Sequence, residues 1–281
     1  MPLTGGELTI PRKALGRWPN APLALVVAQV RFVPHAQTEP YLAAERIQLA
    51  TELEYPLLNP LQPISVVIGK GQPVLLPQTM EVTDFELRNT ANNKVIKMQR
   101  DGLTFMTSAY QDSTHFLNQW RVFMAALCED RELRVLRLGV RYVDFIIPSA
   151  EHVPEDYFRD GLGRSPGILG EQSPVSFTLY DFPRPDGGQL RLQYRRGFGP
   201  PTLPPDLQDS VLPPGGLTTR FPGDISAVLD MDRWRIVNEF MSTDDMIRGL
   251  EALRSDMAIA FQNIMTELAE REWKNPSSEE A

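Results

Sequence analysis

The stretch LRLGVRYVDFII (136–147) restricts the fold of this chain more than any other. Leu136, Leu138, Val140 and Tyr142 alternate with Arg137, Gly139 and Arg141, the period of a half-buried strand. Beyond Tyr142 the phase changes. Asp144 falls on the apolar phase, while Val143, Phe145 and Ile147 fall on the phase that carried arginine. A strand with apolar groups on both faces is covered on both sides, so it belongs inside a sheet. The change of phase also fits a β-bulge near Val143 that would turn Asp144 outward. Arg141 on such a strand calls for a carboxylate or several acceptors, because an isolated buried charge is too costly to keep.

LALVVAQVRF (23–32) has the same two-sided character, and Arg31 in its VRF ending matches Arg141 in VRY. Helices are expected at 40–55, along Leu42, Ile47, Leu49 and Leu53, and from Ser113 along Phe116, Trp120, Phe123 and Leu127. A long final helix is expected from Ser242 or Thr243, along Met246, Leu250, Leu253, Met257, Phe261, Ile264 and Leu268. Strands are expected at 64–69, 80–89, 94–102, 103–110, 173–182, 189–198 and 224–234, and a short helix at 154–163. DFELRN (84–89) matches SFTLYD (176–181), and KMQRDG (97–102) matches LQYRRG (192–197). Taken in order, these matches predict an internal duplication. The expected fold is α+β: a largely antiparallel sheet from two β-α-β-β-β-α pseudo-repeats, with helices packed on one face and a long C-terminal helix. The expected division is an extended arm (1–22), a first repeat (23–130), a second repeat (131–275) and a disordered tail (276–281).

The halves differ most at the proline-rich insertion 199–223. Prolines keep it out of a central sheet, so it should cross the surface, with Phe198 and Phe221 as anchors to the body. Asp230 and Asp232 in LDMD share a strand face with Ser226 and Val228; such a pair could hold Mg²⁺ or Ca²⁺, but a solvated polar face is the better reading. His35, His115 and His152 lack second ligands at metal spacing. Walker A, G-x-S-x-G and H-E-x-x-H motifs do not occur, so no cofactor is expected. The single cysteine, Cys128, reads as a buried thiol in a reducing compartment. A net charge of −8 argues against a nucleic-acid partner, and no apolar run has membrane-spanning length, so a cytoplasmic protein is expected.

The VRF strand, the RLGVRYVDFI strand with Arg137, Gly139, Arg141 and Tyr142, and LDMD before a long helix together resemble a known family. It is a sporadically distributed family of uncharacterised bacterial proteins with an RxGxRY-type mid-chain strand. Here Val143 and Asp144 stand where that family commonly has an asparagine. The resemblance implies no activity; its patchy distribution hints at mobile defence or toxin–antitoxin genes. The expected function is therefore a non-enzymatic accessory protein working through protein–protein contacts, with room for a homodimer contact on the C-terminal helix. The alternative is a small-anion-binding protein or enzyme with a pocket between sheet and helices, where Arg31 and Arg141 converge on one anion; Tyr142 and Asp144 are further binding candidates.

Overall fold

The computed structural model describes residues 18, 20–35, 38–61, 64–67, 74–77, 84–129, 131–149, 151–159, 162–163, 173–208 and 225–274. The elements are β1 (Leu23–Phe32), α1 (Pro40–Ala50), β2 (Leu57–Leu61), β3 (Ile64–Val67), β4 (Val74–Pro77), β5 (Asp84–Arg88), β6 (Lys94–Gln99), β7 (Gly102–Thr107) and α2 (Ser113–Cys128). There follow β8 (Leu133–Ile146), a 3-10 turn (Pro154–Tyr157), β9 (Ser176–Pro183), β10 (Gln189–Phe198), β11 (Ile225–Met241), α3 (Thr243–Ile264) and α4 (Glu267–Lys274). The fold is α+β. Nine strands form one antiparallel sheet in the order β2-β5-β6-β7-β1-β8-β11-β10-β9, and β3 pairs only with β4.

The two strands with apolar groups on both faces are the central pair. β1 and β8 run antiparallel, with Val26 opposite Tyr142 and Val27 opposite Arg141. One face of β1, through Val26, Ala28, Val30 and Phe32, shares a core with Ala43, Ala44 and Ile47 of α1. The same core takes in Phe116, Trp120 and Phe123 of α2 and Met246, Leu250, Leu253 and Met257 of α3. The other face, through Leu25 and Val27, joins Val95, Met106, Val143, Phe145 and Val228 in a smaller core closed by Leu203 and Leu207. These strands are therefore apolar on both sides because helices cover one side and a loop segment covers part of the other.

Several local expectations need correction. In α1 only Ile47 of the expected stripe is buried; Leu42, Leu49 and Leu53 are exposed, and Ala43 and Ala44 make the close approach instead. Small side chains let α1 approach the sheet closely, which a leucine-based periodicity cannot register. Asp112, not Ser113, caps α2, its carboxylate accepting from the His115 amide at 2.7 Å. The final helix breaks at Met265, where the backbone turns extended and α4 begins. The α3 stripe faces the sheet core through Met246, Leu250, Leu253 and Met257. The start is as read: Ser242 and Asp245 form a capping box. Strands β2 and β4, each carrying proline, were missed. The arm before Trp18 and the tail after Lys274 lie outside the described residues.

The β9–β10 hairpin turns through Gly187 and Gly188, and the turn is pinned from behind. Arg233, 2% exposed, donates to Asp186, to Asp256 on α3 (3.1 Å) and to the Trp234 carbonyl (2.6 Å). A Cβ on Gly188 would fall 2.0 Å from the Trp234 carbonyl oxygen and 2.8 Å from the Arg235 Cα, both backbone atoms that cannot swing away. Gly188→Ala should accordingly lower stability by about 3 kcal/mol, read as a fall in the urea midpoint at unchanged slope. A change below about 0.5 kcal/mol would show that the turn can relax.

Candidate functional site

The sheet face opposite the main core carries charged side chains set in rows by strand register. Across β8, β11, β10 and β9 one row reads Arg141, Asp232, Arg191, Asp181, with alternating sign. The next row runs Lys97, Thr104, Gln29, Gly139, Trp234 across β6, β7, β1, β8 and β11. Alternation along each strand puts these residues on the face opposite the main core.

Arg141 is the centre of this face. Its Nε and Nη2 donate to the two oxygens of Asp230, both at 2.7 Å, a bidentate pair in which Asp230 is only 6% exposed. Its Nη1 and Nη2 also hold Asp206, the latter bond at 3.2 Å. Burial opposes the Arg141 charge, but Asp230 and Asp206 outweigh it and hold the guanidinium firmly protonated. In turn Arg141 keeps the Asp206 carboxyl below its ordinary range. Asp206 belongs to the described part of the proline-rich insertion, residues up to Gln208, which lies against the sheet with Leu203 and Leu207 buried beneath it. The expected surface crossing is thus anchored, but by other groups. Phe198 is 66% exposed and anchors nothing, and Phe221 lies outside the described residues.

Gly139 leaves a hollow in the face between Arg137 and Arg141. A Cβ there would meet Trp234 Cβ at 3.6 Å and the Arg233 carbonyl oxygen at 3.9 Å, ordinary van der Waals contact, so the position admits a side chain that would narrow the hollow. Arg137 lies over the Trp234 ring, 4.9 Å from its centroid, with Asp232 3.9 Å away. Lys97, Gln29, Gln99 and Thr104 complete a cavity of about 380 Å³ on one side of the crossing segment. Arg191, Arg195, Gln193 and Phe177 line a second of about 520 Å³ on the other. Burial raises the Asp232 carboxyl above its ordinary range, against the pull of Arg137 and Arg141.

The remaining sequence candidates separate. Arg31 faces the same side as Arg141 but binds its own partners, Gln99 at 2.9 Å and Asp101, so the two cations do not converge on one anion. Nor is the face around Arg31 apolar, as its place on a two-sided strand suggested. Both arginines point away from the helices, so they line no pocket between sheet and helices. Tyr142 faces the helices beside Tyr110, ring centroids 6.2 Å apart. Asp144 faces the same way, opposite Leu229, and is buried rather than turned outward. The bulge lies in β1, between Leu23 and Leu25. The Asp144 Oδ2 has no hydrogen-bond partner, and burial first, then the charge of Asp230, pushes its pKa up to about 8. Asp230 is taken up by Arg141, and among the described residues no His, Cys, Asp and Glu group could hold a metal ion. Cys128 is buried, its thiol pushed up to about 11.

Sequence reasoning missed Asp206, Arg191 and the role of Arg137. The signal for Arg137 and Arg191 was present, because both share a strand phase with the charges they neighbour. Asp206 had none, since its partner lies 65 residues away. Among the described residues no helix is long and apolar enough to cross a membrane. No protein-family model and no curated protein matches the chain, so its function is argued from these residues.

Proposed function

We propose that the protein is a non-enzymatic accessory protein acting through protein–protein contacts, with the helix-free sheet face and the segment crossing it as its working surface. The observation that supports this reading is the commitment of Arg141 to both Asp230 and Asp206. A charge-assisted clamp that holds a proline-rich segment over a sheet sets that segment in one conformation before a partner arrives, which lowers the ordering cost of binding. Pro205 and Thr202 point outward from it. The proposed setting is the cytoplasm, in a bacterial defence or toxin–antitoxin-like system.

Co-purification at native expression tests this. The wild type should bring down one partner in stoichiometric amount, and Pro205→Lys, on the exposed side of the segment, should lose it without a change in melting temperature. Recovery of the protein alone, together with turnover of a nucleotide or ester, would overturn the reading. The hollow beside Gly139 favours a second reading, a small anion held by Arg137 and Lys97. There Gly139→Val, which fills the hollow, abolishes a ligand-induced rise in melting temperature while leaving the partner bound.

The proposal extends to the frame. Two β-α-β-β-β-α halves with helices on one face would explain why the sheet reads β5-β6-β7-β1 on one side and β9-β10-β11-β8 on the other. The short motif matches lend this no support. Leu87 lies in the helix-side core, whereas its counterpart Leu179 is exposed on the other face; Met98 and Gln193 are opposed likewise. The support is the strand order alone.

A further inference from the structure

We infer that the protein self-associates as a two-fold dimer through the outer edge of β9, which joins two nine-stranded sheets into one. β9 ends the sheet, and among the described residues no strand pairs with its outer side. An edge strand presents a row of unpaired N–H and C=O groups, and folded proteins usually blunt it with lysine, proline, a bulge or a cover. Among the described residues β9 has none of these over SFTLYDF. Its register with β10 is unbroken from Ser176 to Pro183, proline comes only at the end, and its one charge, Asp181, is neutralised by a bidentate Arg191 at 2.8 and 3.0 Å. Both of its faces carry exposed apolar side chains: Phe177 is 62% exposed, Leu179 and Tyr180 each 44%, Phe182 45%, with Val175 beside them at 59%.

The geometry selects a second copy as the occupant, in one arrangement. The opposite edge, β2, carries Pro60 within five residues. Proline on an edge strand stands with its missing donor toward the open side, so β2 cannot supply a full ladder to β9 of the next chain. Head-to-tail growth of the nine-stranded sheet is thereby blocked, whereas β9 with β9 joins the edge that is proline-free over SFTLYDF to itself and closes. A two-fold axis normal to an antiparallel sheet keeps like faces together. Phe177 and Leu179 of both copies then meet on one face, and Tyr180 and Phe182 on the helix side. The five side chains expose on the order of 500 Å² per copy, so the pair buries on the order of 1,000 Å², enough for a specific interface once the backbone ladder is added.

Sedimentation of the full chain tests this, with amide exchange as a measurement that needs no variant. At about 100 μM the wild type should run at twice its 31.7 kDa mass, and Leu179→Lys, at an exposed position, should weaken association on the order of 100-fold with the melting temperature unchanged. In the wild type, alternate amides between Ser176 and Phe182 should gain protection as concentration rises. A monomer at that concentration overturns the inference. So does a dimer that persists in Leu179→Lys, or protection in β9 that ignores concentration.

Discussion

Arg141→Ala should be the most damaging single change on the open face, lowering stability by about 3–5 kcal/mol. The loss comes less from the arginine than from what it leaves behind. Asp230, 6% exposed, would be left beside Asp232 without its bidentate partner, and the Thr202–Gln208 segment would lose the bond that holds it through Asp206. Asp206→Ala should cost under about 1 kcal/mol, because that carboxylate is 62% exposed and its pair is screened by water. Replacing both Arg141 and Asp230 by leucine should recover most of the loss, since an apolar pair leaves no uncompensated charge. Urea denaturation of the wild type and these three variants measures the losses. An Arg141→Ala loss below about 1 kcal/mol would mean that water reaches Asp230 freely. Shortening 200–220 would remove Leu203 and Leu207 from the smaller core, so it should destabilise the fold.

Asp144 should produce the opposite result: its replacement stabilises the protein, and only above acidic pH. The folded chain holds the Asp144 proton up to about pH 8, while an unfolded chain releases it near its ordinary value of about 4. Between those limits the native state binds the extra proton. Stability therefore falls as pH rises through the window, by up to about 1.4 kcal/mol per pH unit, and the contribution levels off above it. Asp144→Asn removes this slope. The two proteins should be nearly equal at about pH 4 and differ by several kcal/mol at about pH 9, with the variant more stable. Melting or urea profiles across that range decide the matter, and parallel profiles would show that Asp144 finds a partner or water in solution. Asp230, on the other face but close enough to raise the Asp144 pKa, makes the Asp230→Asn profile a control on the coupling.

The sequence by itself determined which strands are central and what class of fold holds them. Side-chain alternation is a local property of extended backbone, so LALVVAQVRF and LRLGVRYVDFII declare two covered faces wherever the chain goes. Capping is local too, and the Ser242 start of α3 was legible for that reason. The need of Arg141 for a carboxylate also followed from the sequence, because the cost of a bare buried charge does not depend on the fold. Which carboxylates answer it did not follow. Asp230 and Asp206 lie 89 and 65 residues away, and only strand register and the path of the crossing segment bring them within reach. The same holds for Asp144: its phase was read correctly, but whether a bulge turned it to water or β1 absorbed the irregularity depended on the partner strand. Matching motifs such as Phe-x-Leu failed because a one-residue difference in register reverses the face, a difference no motif records. Tertiary structure alone decided the edges, since a strand becomes an edge by lacking a neighbour. That leaves Phe177 and Leu179 on β9 open to solvent although their alternation reads like that of any half-buried strand.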